Sequence, residues 1–233
     1  MNKGKLYLIP VPIHNEEEFN SKFIPPYLTE EINKINVFAV ENIRTSRRFL
    51  RKINPKFNIN DTTFHLIDKR TEEAEYSNII NCLINGNDVG VMSESGCPGI
   101  ADPGQKLCSL AHHKNILIKP LIGPSSILLA LMSSGLNGQR FTFHGYLPIE
   151  KEKRIKAIKK LHPNTGSHIF IETPYRNQKV YDDLIQNLKP DIRKLCIATD
   201  LTGINESIFT KKISELKQSN IILKKYPTIF IFE

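Results

Sequence analysis

Short apolar runs alternate with longer amphipathic segments over residues 1–120, and this alternation constrains the fold more than any other feature. The runs have the composition of buried strands, as in Leu6–Pro12 and Val37–Val40. The segments between them have the length and periodicity of helices; Glu72–Asn85, for example, has acids in its first turn and a glycine just past its end. A repeated β-α-β order predicts a mostly parallel sheet with helices on both faces.

The second half of the chain has a different pattern. Strand-like runs at His168–Glu172, Leu195–Asp200, Ser207–Lys211 and Thr228–Phe232 accompany two helical segments, and long helices do not separate the last of these runs. Such an arrangement predicts an antiparallel portion. We therefore expect an α/β protein of two α/β domains, residues 1–120 with a mostly parallel sheet and residues 121–233 with a mixed sheet.

The net charge of +8 indicates an anionic partner, and nucleic acid is the commonest one for a basic protein. A lysine-rich surface without such a partner would give the same charge. No run approaches the ~18 apolar residues of a membrane span, and the start, Met-Asn-Lys-Gly-Lys, does not resemble a signal peptide. We therefore expect a cytoplasmic protein.

The cysteines are widely spaced and form no C-x-x-C pair: they are Cys82, Cys97, Cys108 and Cys196. This spacing favours free thiols over disulfides or a zinc site. The histidines do not cluster with metal-ligand spacing either, so we predict no metal site.

The stretch Val91–Gly104 joins a predicted strand to a predicted helix through a loop rich in glycine and proline. Ligands of α/β proteins bind beyond the carboxyl ends of strands, where glycines let the backbone approach them. Glu94 and Asp102 add carboxylates that could hold ribose hydroxyls or a positively charged ligand. A tight crossover that needs these glycines and prolines only for its turns is the alternative.

Unusual residues also follow three other strands, in the loops Glu41–Arg44, Gly123–Ser126 and Glu172–Arg176. A carboxylate and an arginine at the end of a buried strand are costly unless they are paired or face a ligand. Because each half of the chain supplies two of the four loops, the pattern suggests a cleft between the domains.

The segment Thr45–Ile53 is predicted to be a basic helix, with Thr45 or Ser46 as its N-cap. Arginines at i, i+4 and i+7 fall on one of its faces: Arg44, Arg48 and Arg51. A phosphate-binding face and a solvated surface helix both fit this pattern.

Two of these stretches resemble motifs of the class III S-adenosylmethionine-dependent methyltransferases, the tetrapyrrole methylase superfamily. Ser93–Gly104 resembles S-D-A-G-T-P-x-I-S-D-P-G, and Glu41–Leu50 resembles E-D-T-R-x-S-R-R-L-L. Both patterns are those of the branch that methylates the ribose 2′-oxygen of a cytidine in small-subunit ribosomal RNA. Four shorter stretches are similar to its P-G-P-S-A, F-x-G-F-L-P, E-S-P-H-R and R-E-L-T-K motifs: Ile122–Ser126, Phe143–Pro148, Glu172–Arg176 and Thr199–Gly203.

The resemblance implies S-adenosylmethionine as cofactor, ribosomal RNA or the small ribosomal subunit as partner, and a homodimer. It implies catalytic roles at Glu41, Arg44, Glu172 and Arg176, with the glutamates as proton acceptors and the arginines orienting a phosphate or the acids. The cofactor-binding residues it implies are Glu94, Ser95, Gly96, Pro98, Asp102, Ser125, Ser126, Thr173 and Leu201. The substrate-binding residues it implies are His14, Asn15, Arg47, Arg48 and Arg51.

Several substitutions separate the chain from the branch pattern. His14 replaces the glycine of T-P-I-G-N-L, Asn42 replaces an acid, Ile43 replaces a threonine, and His144 replaces a glutamate. The cofactor motifs are closer to the pattern than the substrate motifs, so we expect retained cofactor binding and leave the substrate open. Two alternatives to an RNA methyltransferase therefore remain: a methylase of a tetrapyrrole or other small substrate, and a non-catalytic ribosome-associated protein that binds the cofactor.

Overall fold

The structure, a computed structural model, describes residues 2–13, 24–161, 165–188 and 193–233. It divides into two compact units, Met1–Ser125 and Ser126–Glu233. The domain boundary predicted between residues 120 and 121 stays a prediction, because compactness alone does not show that either unit is an independent domain. Among the helices in the described ranges, none has both the length and the apolar character that a membrane span needs.

The first unit contains a five-stranded sheet in which all neighbouring strands are parallel, in the order β3-β2-β4-β1-β5. Its elements are β1 (Leu6–Leu8), α1 (Pro26–Ile32), β2 (Val37–Val40), α2 (Ile43–Ile53), β3 (Thr63–Leu66), α3 (Glu73–Ile84), β4 (Val89–Met92), α4 (Gln105–His113) and β5 (Ile118–Pro120). The predicted parallel sheet is confirmed.

The sheet of the first unit has a hydrophobic core on each face. One core contains Phe38 and Leu50, and the other contains Ile79 and Val91, which explains why the strands are continuously apolar. The central strand β4 is buried at every residue. Its Gly90 has a steric role, because a Cβ there would lie 2.6 Å from the Cδ1 of Ile9 and 2.9 Å from the ring of Phe38.

The second unit contains a mixed five-stranded sheet in the order β6-β7-β10-β8-β9. Its elements are α5 (Ser126–Ser134), β6 (Phe141–Phe143), α6 (Lys151–Lys160), β7 (Ser167–Glu172), α7 (Asn177–Asn187), β8 (Lys194–Thr199), β9 (Ser207–Lys212), α8 (Ile213–Gln218) and β10 (Thr228–Phe232). Strands β6 and β7 are parallel, whereas β10 pairs antiparallel with β7 and β8, and β8 pairs antiparallel with β9. The predicted antiparallel portion is confirmed.

Helix α2 begins two residues earlier than predicted, and the predicted N-cap at Thr45 or Ser46 is wrong. The cap is Asn42, whose Oδ1 accepts hydrogen bonds from the backbone N–H groups of Arg44 (3.0 Å) and Thr45 (3.3 Å). An asparagine side chain satisfies free N–H groups at a helix start as well as serine or threonine does. The first turn of the basic helix therefore lies directly beyond Glu41.

Candidate active site

The loop after β4 is joined to the loop after β1 by a short bridge. The N–H of Val11 donates to the carbonyl of Gly96 at 2.9 Å, and the N–H of Gly96 donates back at 3.2 Å. Gly96 is buried with a φ of +67°, a backbone conformation that side chains other than glycine rarely adopt. The glycine therefore allows the backbone of the Ser93–Gly104 loop to pack against the strand end.

Three carboxylates from two loops, Glu41, Glu94 and Asp102, lie near one another at the carboxyl edge of the parallel sheet. Glu41 Oε2 accepts a hydrogen bond from the N–H of Glu94 at 3.1 Å. Burial raises the pKa of Asp102 to about 6, and the nearby charges of Glu41 and Glu94 add to the increase. Such a cluster is stabilised by a positively charged ligand or by a bound proton.

The outer face of α2 is strongly basic. Its Phe49 and Leu50 are buried in the core, while Arg44 and Arg47 are exposed. An open pocket of about 420 Å³ is lined almost entirely by cationic residues: Arg47, Arg48, Arg51, Lys52 and Ile59. Cations concentrated on one helix face attract a polyanion more strongly than the same cations spread over the surface.

In the second unit, Glu172 lies buried at the end of β7 with an exposed fraction of 1%. Its Oε1 accepts hydrogen bonds from the N–H (2.8 Å) and the hydroxyl (3.3 Å) of Thr173, and its Oε2 forms an ion pair with Arg176 at 3.3 Å. Arg176 also donates to the carbonyls of Leu147 (2.8 Å) and Pro148 (3.3 Å). The charge of Glu172 is thus balanced by an arginine that holds the neighbouring loop.

The turn that contains Leu201 has two non-glycine residues with positive φ, Asp200 at +51° and Thr202 at +66°. The carboxylate of Asp200 accepts a hydrogen bond from the N–H of Asn205 at 2.9 Å. A Cβ at Gly203 would collide with that carboxylate. Leu201 is buried in this turn.

His144, which was singled out as a departure from the branch pattern, forms a pair with a second histidine. Its Nε2 lies 2.9 Å from Nδ1 of His168, and its ring stacks on Phe170 at a centroid distance of 4.9 Å. Burial and the nearby His168 lower the pKa of His144. This pair could not be predicted from the sequence, because His144 directly follows β6, His168 lies on the neighbouring strand β7, and the two are 24 residues apart along the chain.

The sequence model of the family described as Tetrapyrrole (Corrin/Porphyrin) Methylases matches residues 5–217. The chain belongs to this family. The predicted resemblance and the predicted enzyme class, an S-adenosylmethionine-dependent methyltransferase, are therefore confirmed.

The chain is also similar to individual proteins of one name within this family. It is 31% identical over 238 residues to the "Ribosomal RNA small subunit methyltransferase I" of Buchnera aphidicola subsp. Schizaphis graminum, covering 100% of the chain and 80% of the relative. It is 28% identical over 215 residues to the protein of the same name from Escherichia coli O157:H7, covering 92% of the chain and 71% of the relative.

Solved structures share the fold of this methylase. The methyltransferase CobJ aligns with a TM-score of 0.62 and 15% identity over 98% of the chain and 93% of that structure. The cobalt precorrin-4 methyltransferase CbiF aligns with a TM-score of 0.59 and 13% identity over 97% of the chain and 94% of that structure. The predicted fold class is confirmed.

The structure brings together several of the site residues that the sequence predicted for this methylase. Glu41, Glu94 and Asp102 form one group in the first unit, and Glu172, Thr173 and Arg176 form another in the second. In the loop that carries Glu94 and Asp102, Gly96 and Pro98 are buried and Ser95 is exposed. Ser125 is the last residue of the first unit, and Ser126 is the first residue of α5. His14 and Asn15 lie outside the described residues.

The contacts of Arg176 with the backbone carbonyls of Leu147 and Pro148 were not predicted from the sequence. The F-x-G-F-L-P match pointed to their loop, but a motif does not show which arginine binds its carbonyls. The four cysteines are free thiols, with Cys196 buried and the other three partly buried. Among the described residues, His, Cys, Asp and Glu form no group of three or more that could hold a metal ion.

Proposed function

We propose that this methylase transfers a methyl group from S-adenosylmethionine to small-subunit ribosomal RNA, at the ribose 2′-oxygen of a cytidine. The observation that carries the proposal is the basic outer face of α2, which starts directly beyond the carboxylate group of Glu41, Glu94 and Asp102. A phosphate bound to this face would lie near carboxylates that can accept a hydroxyl proton, which supports the proposal. The names of the curated relatives support the same substrate class.

The residues of the central loop fit the cofactor. S-adenosylmethionine carries a sulfonium and an ammonium, and the raised pKa of Asp102 marks a cluster that a cationic ligand would stabilise. The glycine backbone at Gly96 offers close approach for the rest of the ligand. We propose that the first unit holds the cofactor through Glu94, Ser95, Gly96, Pro98, Asp102 and Ser125. The residues proposed for the second unit are Ser126, Thr173 and Leu201.

When bound, the cofactor supplies a methyl group that its sulfonium sulfur already activates. The protein has to align the ribose oxygen with that methyl group and to accept the hydroxyl proton. We propose Glu41 for this role, because its Oε2 is fixed by the N–H of Glu94 while its Oε1 can accept a hydrogen bond from a hydroxyl. Arg44, exposed in the first turn of α2, would orient the adjacent phosphate.

Glu172 and Arg176 suit a positioning role better than direct proton transfer. The carboxylate of Glu172 is buried and its oxygens already contact Thr173 and Arg176. Through Arg176 it holds the Leu147–Pro148 backbone in place. We therefore propose that the pair keeps this loop in the geometry that the substrate requires.

The first experiment is calorimetric titration with S-adenosylmethionine, followed by methyl transfer to small subunits from a strain that lacks the gene. We expect binding and transfer, with transfer strongly reduced in Glu41→Gln and cofactor binding reduced much less. Full turnover of Glu41→Gln would exclude Glu41 as the proton acceptor. Absence of cofactor binding by the folded protein would contradict the whole proposal.

The same assays separate the two alternatives. A small tetrapyrrole substrate would show a shallow salt dependence, whereas an RNA substrate loses affinity steeply with salt. Cofactor and RNA binding without transfer under any condition would indicate a non-catalytic module. The curated names favour neither alternative.

We further propose that the active form is a homodimer that acts in the cytoplasm, where ribosomal subunits are made. The resemblance implies the dimer, and the side chains of Leu128 and Met132, 56% and 80% exposed and one turn apart on α5, form the kind of apolar patch that a subunit interface covers. Sedimentation equilibrium tests the assembly state, and a monomer at all concentrations would contradict it.

A further inference from the structure

Two tyrosines are exposed at one edge of the mixed sheet. Tyr146 is 51% exposed and Tyr175 is 84% exposed, and both lie in loops that follow the parallel neighbours β6 and β7. The loops therefore leave the sheet at the same edge. Ile149, 80% exposed, lies in the first of them. A group of large exposed apolar side chains in the same neighbourhood marks a binding surface.

The two loops are linked by a hydrogen bond next to both tyrosines. Arg176, which follows Tyr175, donates to the carbonyl of Leu147, which follows Tyr146, at 2.8 Å. Arg154 fixes the same loop through the carbonyls of Pro148 (3.0 Å) and Ile149 (2.7 Å). The tyrosines thus lie in loops that are already ordered, and a ligand that stacks on them does not have to order the backbone.

A basic helix begins two residues after Ile149. Arg154 and Ile158 are on the buried side of α6, whereas its lysines are exposed: Lys151, Lys153, Lys156, Lys159 and Lys160. Lys156 and Lys160 are one turn apart and lie on one face. An exposed aromatic ring in a loop that leads into a lysine-rich helix is the kind of feature that binds single-stranded nucleic acid, through base stacking and phosphate contacts.

We propose that the tyrosines and α6 form a second RNA-binding surface. In it Tyr146 and Tyr175 stack on an unpaired base, and the lysines of α6 contact the phosphates next to it. This inference rests on the proposed function and names the part of the substrate that the second unit binds: a single-stranded segment, whose bases are accessible for stacking.

The chain contains no tryptophan, so Tyr175→Trp introduces a single tryptophan, which can be excited selectively over the tyrosines, at the proposed stacking position. We expect single-stranded small-subunit RNA to quench its fluorescence and inorganic polyphosphate to leave it unchanged, because only the RNA carries bases. Phe141→Trp, at a 43% exposed position at the start of β6 and therefore at the opposite edge of the sheet, is the matched control and should not be quenched. Equal quenching of both variants, or none in Tyr175→Trp at RNA concentrations that saturate binding, would overturn the proposal.

Binding measurements separate stacking from charge. Tyr175→Ala should weaken RNA binding about 5- to 100-fold without changing the slope of log K against log salt, and Tyr175→Phe should retain most of the affinity. Lys156→Gln should instead lower that slope by about 0.7 for a single strand. Unchanged affinity in Tyr175→Ala, or a changed slope, would contradict stacking.

The test is separate from that of the proposed function. If the wild-type protein methylates small subunits while Tyr175→Trp does not respond to RNA, only this inference fails. If Tyr175→Trp responds to RNA but the wild-type protein transfers no methyl group, the surface stands and the methylation proposal fails. Quenching by assembled subunits but not by naked RNA would assign the surface to a protein partner and overturn the inference.

Discussion

Asn42 shows how a substitution in a motif can preserve local structure. The branch pattern has an acid at this position, and Asn42 provides the same side-chain oxygen to the N–H groups of Arg44 and Thr45. We expect Asn42→Ala to lower the free energy of unfolding by about 1 kcal/mol, because it removes the cap of α2. Asn42→Asp should retain the wild-type value, and urea denaturation measures both. Equal losses in the two variants would show that the cap is not the cause.

Asp102 should give the protein a pH-dependent stability. Its folded-state pKa of about 6 lies above the ordinary 3.8, so the folded protein holds a proton that the unfolded chain has lost. The free energy of unfolding should therefore fall as the pH rises from about 4 to about 6. Asp102→Asn should remove this fall and stabilise the protein at pH 7 by on the order of 1 kcal/mol, allowing for solvent screening.

Denaturant midpoints at pH 4.5 and pH 7 measure the effect of Asp102→Asn. Glu30→Gln, at an exposed position on α1, controls for the loss of one negative charge. If Asp102→Asn keeps the wild-type difference between the two midpoints, Asp102 is not the group that titrates.

At the scale of elements, helices α6 and α7 are joined by a buried ion pair. Arg154 Nη2 lies 2.6 Å from Asp183 Oδ2, and each side chain is 6% exposed. Arg154→Met should lower the free energy of unfolding by about 3–5 kcal/mol, because it leaves the Asp183 carboxylate buried without its partner. The double variant Arg154→Met/Asp183→Asn should be more stable than additivity predicts, which a double-mutant cycle measures. Additive losses would mean that the pair does not couple the helices.

The sequence predicted the strands better than the other elements. Val37–Val40 and Thr228–Phe232 have the predicted bounds because each is a run of mainly β-branched and aromatic residues, nearly all apolar, that ends at a glutamate. Helix α8 was missed, since its 6 residues are too few to show a helical period, and only Ile213 and Leu216 are buried. Helix starts depend on which nearby side chain caps the backbone, and several polar residues before α2 could have done so.

The candidate site could be predicted only as separate loops. Parallel strands brought the loops of Glu41 and Glu94 to one edge, as the β-α-β pattern implied. The hydrogen bond between these residues could not be predicted, because it depends on the backbone conformation of the Ser93–Gly104 loop. The burial of Arg154 was equally hidden, since α6 is otherwise lysine-rich and its pattern gives no sign that one cation points inward.

At the scale of the whole molecule, each of the two compact units has its own core and its own basic helix. Helix α2 belongs to the first unit and α6 to the second, and both contribute to the net charge of +8. One RNA that contacts both helices releases counterions from both surfaces in the same binding event. Two RNAs that bind separately release them in different events. Salt dependence therefore distinguishes the two cases.

If one RNA contacts both units, the charge-removing changes Arg51→Gln on α2 and Lys156→Gln on α6 should act additively. Each should lower the slope of log K against log salt by about 0.7–0.9, and the double variant should lower it by about the sum. Lys211→Gln, at an exposed position on β9, controls for net charge and should leave the slope nearly unchanged. A double variant with the slope of one single variant would show that a given RNA uses only one of the two helices. Contact of one RNA with both units would then be contradicted.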